Sequence, residues 1–311
     1  MQPPVKIGTR DSELAVWQAR RVQYLLSQNG TMSELVYIKS EGDLDTITPL
    51  YELGVQGIFT RTLDAALLGH RIDLAVHSMK DVPTTLAAGL VQAAVLKRGS
   101  SKDIIVYKKN EFGFLEDLKG KAVIATSSIR RTGQWLHRYH NHTIENLRGN
   151  INTRLNKLNT HQWNGAIFAA AGLERIGRRP ENSMDLDWML PAPAQGAIMI
   201  VCRKDDLVVH DSCNRCNDWE SEMCTKIERD FLHALQGGCS TPVSALAIIK
   251  GDTVVFKGNI CSPDGKAKID IEKDFSLADH GGAGAIVAKE LLQKKGVHEI
   301  IELIKDARQR S

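Results

Sequence analysis

The chain has 311 residues, which is enough for two or three domains that each bury a core. Its 40 basic and 37 acidic residues leave a net charge of +3, which argues against a nucleic-acid partner, because nucleic-acid binders usually carry a larger basic excess. No apolar run approaches the roughly 20 residues needed to span a bilayer, so we expect no membrane partner. The first residues lack the charged lead and apolar core of a secretory signal, and we therefore expect a cytoplasmic protein.

In a reducing cytoplasm the cysteines are expected to be thiols. The six are Cys202, Cys213, Cys216, Cys224, Cys239 and Cys261. The Cys213-x-x-Cys216 pair, with Cys224 nearby, has the spacing of half a zinc site. The second close pair of ligands is missing, although His210 and His233 lie in the neighbourhood. We expect no metal and interpret this segment as a surface linker that contains thiols.

The first predicted strand, residues 5–8, is followed by a helix that begins near Glu13. Arg10 and Ser12 lie at this junction, where the free N–H groups and the dipole of a helix N-terminus favour anions. The alternative is that Asp11 or Ser12 simply caps the helix. This junction alone favours capping. A second strand is predicted at 34–38, and residues 39–56 are interpreted as a mobile loop or lid.

Residues 73–76 form an apolar run typical of a buried strand, and four polar residues follow its end: His77, Ser78, Lys80 and Asp81. Ligands of open α/β sheets bind outside the carboxyl ends of the strands. The alternative for Lys80 and Asp81 is a surface salt bridge of little energetic consequence. The apolar strand and the stop at Pro83 favour a site.

The same strand–polar–helix pattern recurs three times between 122 and 175. Strand 122–125 precedes Thr126, Ser128, Arg130 and Arg131; strand 144–147 precedes Arg148, Asn150 and Arg154; and strand 165–171 precedes Gly172 and Arg175. Arginine presents a fork of donors that matches a carboxylate or a phosphate. Arginines repeated at equivalent junctions, Arg10 included, predict a cleft that binds a polyanion.

Residues 190–201 return through a proline-rich hinge into a strand, which makes the first domain discontinuous. We predict domain 1 at 1–98 with 197–214, domain 2 at 99–196 and domain 3 at 217–311. Domain 3 begins with a helix near Trp219, which leads to Gly237-Gly238-Cys239. The glycines end this helix, and the following turn presents the Cys239 thiol. The alternative for Cys239, favoured by this stretch alone, is a small buried hydrophobic residue.

Taken together, the motifs are similar to those of one family from end to end. They are Gly8-Thr9-Arg10-Asp11-Ser12, His77-Ser78-Met79-Lys80-Asp81-Val82-Pro83, Thr126-Ser127-Ser128-Ile129-Arg130-Arg131, Leu147-Arg148-Gly149-Asn150, Ala171-Gly172-Leu173, Gln195-Gly196-Ala197 and Gly237-Gly238-Cys239. In this order and spacing the chain resembles the porphobilinogen deaminases, also called hydroxymethylbilane synthases.

The resemblance implies an α/β fold: two periplasmic-binding-protein-like α/β domains joined by a hinge, plus a small α+β C-terminal domain. It implies a monomeric transferase of tetrapyrrole (heme-type) biosynthesis whose small-molecule substrate is porphobilinogen. Four porphobilinogen units are condensed with loss of ammonia on a dipyrromethane cofactor, and hydrolysis releases hydroxymethylbilane. The cofactor is attached through a thioether to Cys239, whose thiolate traps the electrophile left when ammonia departs.

The resemblance also implies residue roles. Asp81 is the catalytic carboxylate, which stabilises developing positive charge and assists proton transfers. The implied cofactor-binding residues, beside Cys239, are Lys80, Ser78, Thr126, Ser128, Arg130, Arg131, Arg148, Asn150 and Gly172. The implied substrate-binding residues are Arg10, Ser12, Arg154, Arg175, Gln195 and Phe59. The chain departs from the family in its lid, where Gln56 and Thr62 replace charged residues, and at Glu41, which replaces an arginine.

Two other hypotheses remain. A solute-binding protein would share the two-lobed pattern, carry no covalent adduct and have no need of Asp81. A nucleic-acid or polyphosphate binder would use the arginines, and its affinity would fall steeply with salt. The near-balanced charge and the absence of a basic stripe with interleaved aromatic residues weigh against the second hypothesis.

Overall fold

The computed structural model describes residues 3–39, 60–108, 112–236 and 241–309. Phe59, Cys239 and the departures at Glu41 and Gln56 lie outside these residues. The chain divides into two compact units: one holds the described parts of 1–100 together with 195–223, and the other those of 101–194 and 224–311. No helix in the described ranges is long and apolar enough to cross a membrane.

In chain order the elements are β1 (Val5–Thr9), α1 (Glu13–Gln28), β2 (Ser33–Tyr37), α2 (Arg61–Leu68), β3 (Leu74–Ser78), β4 (Leu90–Val95), β5 (Asp103–Tyr107), β6 (Val123–Ala125), α3 (Ile129–Arg138), β7 (Thr143–Glu145), α4 (Ile151–Thr160), β8 (Gly165–Ala169), α5 (Ala170–Arg175), β9 (Ser183–Asp185), β10 (Ile198–Arg203), α6 (Leu207–Asn214), α7 (Trp219–Ala234), β11 (Val243–Lys250), β12 (Thr253–Cys261), β13 (Lys268–Ser276), α8 (Ala283–Leu292) and α9 (Val297–Gln309).

The first unit is built on a five-stranded sheet with the order β2-β1-β3-β10-β4. β1 runs parallel to β2 and β3, whereas β10 runs antiparallel to both β3 and β4. Helix α1 covers this sheet with Ala19, Val22 and Leu26, which are fully buried against the apolar residues of β1, β3 and β10. This packing holds the N-terminus of α1 beside the carboxyl ends of β1 and β3, where the polar motifs lie.

The second unit contains a sheet of the same design, with the order β7-β6-β8-β5-β9. Its three parallel strands are again followed by an antiparallel strand, β5, which pairs with β8 and β9. Trp135 of α3 and Tyr139, the C-cap residue of that helix, stack with ring centroids 4.7 Å apart and are buried against one face of this sheet. Helix α3 is thereby fixed with its N-terminus at the carboxyl end of β6.

The C-terminal part of the second unit is a three-stranded antiparallel sheet, β11-β12-β13. Phe256 of β12 meets Phe231 of α7, with ring centroids 5.1 Å apart, and both side chains are fully buried. Helix α8 approaches α7 so closely that a Cβ on Gly284 would lie 2.1 Å from the carbonyl oxygen of Ile227. Only glycine permits this approach of the two backbones.

The expected fold class is confirmed by these two α/β sheets of equal strand order and the small α+β C-terminal part. The proposed boundaries of three domains stay a prediction. The interpretation of the 213–224 segment as a surface linker is wrong: α6 carries Cys213, which is fully buried in the core of the first unit, and Cys224 is buried within α7. The expectation of β8 extending to residue 171 is also corrected, because α5 already begins at Ala170.

Candidate active site

A cleft of the first unit lies at the carboxyl ends of β1 and β3. Because these strands are parallel neighbours, the residues that follow them meet at one edge of the sheet. The cleft is lined by Arg10, Ser12, Leu14, Ala15, Gln18, Thr60, Leu63, Val76, His77, Ser78 and Asp81. Two of the predicted motifs of this unit, residues 8–12 and 77–83, are thus brought together around one space.

Ser12 is the N-cap residue of α1, yet its side chain makes no capping hydrogen bond. The alternative in which the Ser12 side chain only caps the helix is therefore wrong, because Ser12 occupies the N-cap position without making the capping bond. Since the hydroxyl makes no capping bond to the first turn among the described residues, it is placed to bind an anion at this helix end. Arg10, half-buried on the same junction, adds positive charge there.

Ser78, at the end of β3, is positioned by a residue that the sequence analysis missed. Gln18 of α1 is 2 % exposed, and its Nε2 donates a hydrogen bond of 2.9 Å to Ser78 Oγ. The available signal was a long polar side chain on the otherwise apolar face of α1, next to Ala19 and Val22. A buried polar side chain in that position requires a partner.

His77 lines the cleft from β3 and is almost completely buried. Burial, together with the smaller effect of the positive charge of Arg10, lowers the pKa of its imidazole from 6.5 to about 4. Its Nε2 has no hydrogen-bond partner within the described part of the chain. The imidazole is therefore neutral at neutral pH.

Lys80 and Asp81 lie on a single 3-10 turn, Met79–Asp81, directly after β3. The Lys80 Nζ donates to Gln195 Oε1 at 3.3 Å, and Gln195 is completely buried. Where the structure describes the chain, the half-buried Asp81 carboxylate makes neither a hydrogen bond nor an ion pair. Lys80 and Asp81 do not form a salt bridge with each other, and among the described residues both Asp81 oxygens are left as acceptors.

In the second unit, two of the predicted cofactor-binding residues, Ser128 and Asn150, cap helices. Ser128 Oγ accepts from the N–H of Arg131 at the start of α3, and Asn150 Oδ1 accepts from the N–H of Thr153 at 3.0 Å at the start of α4. Thr126 Oγ1 accepts from the N–H of Ser128 at 3.2 Å. These side chains shape the two turns that follow β6 and β7.

Arg130 and Arg131 share one buried carboxylate, that of Asp103, at the start of β5. Asp103 Oδ2 lies 2.7 Å from Arg130 Nη1, and Oδ1 accepts from Nε and Nη2 of Arg131 at 3.0 and 2.8 Å. Arg131 Nη1 donates to the carbonyl of Ile167 at 2.9 Å, and Arg130 Nη1 to that of Leu190 at 2.7 Å. Arg131 thus uses all three of its nitrogens within the protein.

The other predicted arginines lie on neighbouring turns. Arg148 is 4 % exposed, and Nε of Arg154 donates to the carbonyl of Gly149 at 2.7 Å. Burial lowers the pKa of Arg175 to about 10, an effect that Glu174 partly offsets. Gly172 is buried in α5, which carries Arg175 at its end.

This donor set fits a cofactor that carries carboxylates. Two buried guanidinium groups, Arg130 and Arg131, share a single carboxylate, and Arg130 Nε is buried with no hydrogen-bond partner among the residues described. A buried positive charge that exceeds its paired negative charge is costly unless an anion is bound. Among the described residues, no group of three or more His, Cys, Asp and Glu side chains is arranged to hold a metal ion.

Comparison with known proteins agrees with these features over nearly the whole chain. Residues 5–211 match the family model of the porphobilinogen deaminase dipyromethane cofactor binding domain, and residues 222–293 match that of the porphobilinogen deaminase C-terminal domain. The porphobilinogen deaminase of Pelotomaculum thermopropionicum is 39% identical over 313 residues, which cover 99% of this chain and 98% of that protein. The porphobilinogen deaminase of Syntrophomonas wolfei is 38% identical over 302 residues, which cover 96% and 98%.

Among solved structures, the periplasmic VFT2 domain of BvgS from Bordetella pertussis is 13% identical, with a TM-score of 0.43 over 69% of this chain and 86% of that chain. The match of the cofactor-domain model to most of the chain, together with relatives of about 39% identity over nearly its full length, shows that the chain belongs to the porphobilinogen deaminase family.

Proposed function

We propose that this chain is a transferase of tetrapyrrole biosynthesis that condenses porphobilinogen with loss of ammonia and yields hydroxymethylbilane after four additions. Family membership supports the reaction class. The observation that carries the proposal is the cleft where Asp81, Arg10 and Ser12 lie together, the half-buried Asp81 carboxylate having no partner in the part of the chain that the structure describes. This arrangement combines an acceptor for a cation with donors for carboxylates.

Asp81 serves the chemical step. Loss of ammonia from the aminomethyl group of porphobilinogen leaves positive charge on the pyrrole, and a carboxylate held at low solvent exposure stabilises that charge more strongly than water does. The same carboxylate accepts the proton that the pyrrole loses after carbon–carbon bond formation. The neutral imidazole of His77 adds no competing charge beside it.

The cationic residues bind the acetate and propionate groups that every pyrrole ring carries. The residues proposed to hold the cofactor are Arg130, whose Nε has no partner within the described ranges, and Arg148, together with Ser78, Lys80, Thr126, Ser128, Asn150 and Gly172. Arg131 holds it indirectly, through the Asp103 carboxylate that it shares with Arg130. Arg10, Ser12, Arg154, Arg175, Gln195 and Phe59 are proposed for substrate. The dipyrromethane, attached to Cys239, supplies the pyrrole carbon to which the first substrate is joined.

The catalytic role is tested with Asp81→Asn. We expect kcat to fall by about 10²–10⁴-fold, the usual effect of losing a general acid–base group, while the unfolding transition stays unchanged. Asp211→Asn is the matched control, because the Asp211 side chain is 77% exposed on α6, away from the cleft. Normal turnover by Asp81→Asn would refute the assigned role.

The cofactor is tested by intact mass. Wild-type protein should exceed the sequence mass by two linked pyrrole units, and Cys239→Ser should not. A bare mass that remains bare after incubation with porphobilinogen would favour a solute-binding protein instead.

We further propose a cytoplasmic monomer of three domains, 1–98 with 197–214, 99–196 and 217–311. Light scattering coupled to size exclusion tests the oligomeric state. A mass above that of one chain, 34.4 kDa, would refute the monomer.

A further inference from the structure

The side-chain amide of Gln134, on α3, fills all of its hydrogen-bonding positions inside the second unit. Gln134 is 2 % exposed. Its Nε2 donates to the carbonyl of Leu190 and to Ser244 Oγ, both at 2.9 Å. Its Oε1 accepts from the N–H of Leu190 at 2.9 Å and from Asn259 Nδ2 at 3.4 Å. An amide has two donors and two main acceptor sites, so only an amide side chain reproduces this set, and that of asparagine is one methylene shorter.

These bonds join three separate segments: helix α3, Leu190 at the start of the predicted hinge, and the C-terminal sheet. The pairing with Leu190 is reciprocal, since its N–H and its carbonyl both bond the same side chain. Two further hydrogen bonds hold the residues that follow Leu190, one to β11 and one to α7. The N–H of Ala245 donates to the carbonyl of Pro191 at 3.2 Å, and the buried Glu228 accepts from Ala194.

The Leu190 carbonyl is also a ligand of Arg130. Arg130 Nη1 donates to it at 2.7 Å and lies 2.7 Å from Asp103 Oδ2. Gln134 follows Arg130 by one helical turn, so both side chains leave α3 on the same face and meet at one carbonyl oxygen. A shift of Leu190 would therefore move the guanidinium of Arg130.

We propose that Gln134 is a positioning residue: it fixes the Leu190 carbonyl, and through it the Arg130 guanidinium, relative to β11, the strand that begins four residues after Cys239. The inference rests on the proposed function, in which Arg130 binds the cofactor. Gln134 itself contacts neither cofactor nor substrate. Its role is to hold the Arg130 guanidinium in a fixed position before the first pyrroles bind. This lowers the entropic cost of ordering that side chain during cofactor attachment.

The test measures how fast cofactor-free protein gains the two-pyrrole mass during incubation with porphobilinogen. Gln134→Leu removes both Leu190 bonds, and we expect its attachment rate to fall about tenfold, which corresponds to ~1.4 kcal/mol. Ser244→Ala is the matched control, because it removes one buried partner of Gln134 but leaves both Leu190 bonds intact. It should attach the cofactor at a rate within about twofold of wild type, even where the two variants lose similar stability.

Gln134→Glu provides a readout that a merely structural role would not produce. The ionised carboxylate cannot donate to the Leu190 carbonyl, and it competes with that carbonyl for Arg130. The protonated acid can donate one hydrogen bond to Leu190 and accept one from it, as the amide does. We expect its attachment rate relative to wild type to rise as the pH falls, because burial raises the pKa of such a carboxyl group.

The outcomes separate the two proposals. If wild-type protein gains no adduct, the proposed function fails. If wild type gains it while Gln134→Leu matches the wild-type rate, or Ser244→Ala slows as much as Gln134→Leu, only the role of Gln134 is overturned. Should Gln134→Leu not fold, the pH profile of Gln134→Glu decides, and a ratio independent of pH refutes the inference.

Discussion

Burial of the neutral His77 imidazole predicts a loss of stability in mild acid that one substitution removes. Its pKa is about 4 in the folded protein against 6.5 when unfolded. Between these values the unfolded chain binds the proton and the folded chain does not, so protonation favours unfolding. The contribution of the neutral imidazole to the free energy of unfolding is fully present above pH 6.5 and is lost as the pH falls toward 4. At about 1.36 kcal/mol for each pKa unit, the loss from pH 7.5 to pH 5 is about 2 kcal/mol.

The assay is urea unfolding of wild type and His77→Gln at a series of pH values between 7.5 and 5. Glutamine is polar, neutral and of similar size, and it cannot titrate in this range. Between pH 7.5 and pH 5, the free energy of unfolding of the wild type should fall by about 2 kcal/mol more than that of the variant. His298→Gln, an exposed histidine of α9, is the control and should follow the wild type. Equal pH dependence of wild type and His77→Gln would refute the burial argument.

Three further outcomes follow from buried contacts. Asp103→Asn leaves two buried guanidinium groups without their carboxylate and should lower the free energy of unfolding by about 3–5 kcal/mol in urea titrations; a loss below about 1 kcal/mol would contradict the ion-pair geometry. Gly284→Ala places a Cβ 2.1 Å from the Ile227 carbonyl and should cost about 3 kcal/mol, whereas Gly281→Ala, with open space around it, should cost far less. The fully buried Cys213 thiol, whose pKa is raised by burial, should resist iodoacetamide in the folded protein and react fully in urea, as mass spectrometry can show; rapid reaction in the folded state would contradict its burial.

The sequence predicts the parts of the site that are local. Strand, polar turn and helix follow one another within about ten residues, and parallel strands bring their carboxyl ends to the same edge. The groups around Arg10 and Ser78 are accordingly found together in one cleft. The pattern could not show which of these side chains form hydrogen bonds within the protein. Ser12 looks like a cap and does not cap, and Arg131 looks available yet uses its nitrogens on Asp103 and Ile167.

The errors in the fold have the same origin. The sequence analysis identified neither β5 nor the three-residue β9, although β5 is paired on both sides, with β8 and β9. β5 begins with Asp103, whose charge makes the stretch look exposed until the arginines 27 and 28 residues later are known to neutralise it. The end of helix α6, at Cys213, was interpreted as part of a linker because the exposed Leu207 and Val208 obscure the helical period of this short helix.

The position of β10 in the first sheet sets the order in which the chain can fold. β4 pairs with β10 and with no other strand in the described residues, yet about a hundred residues separate the two along the chain. During synthesis β4 therefore lacks its partner β10 until all the strands of the second sheet have been made. Such distant pairing slows folding and leaves an exposed strand edge open to association with other chains. A chain that ends before β10 should accumulate as an aggregating intermediate, even though its first three strands are complete.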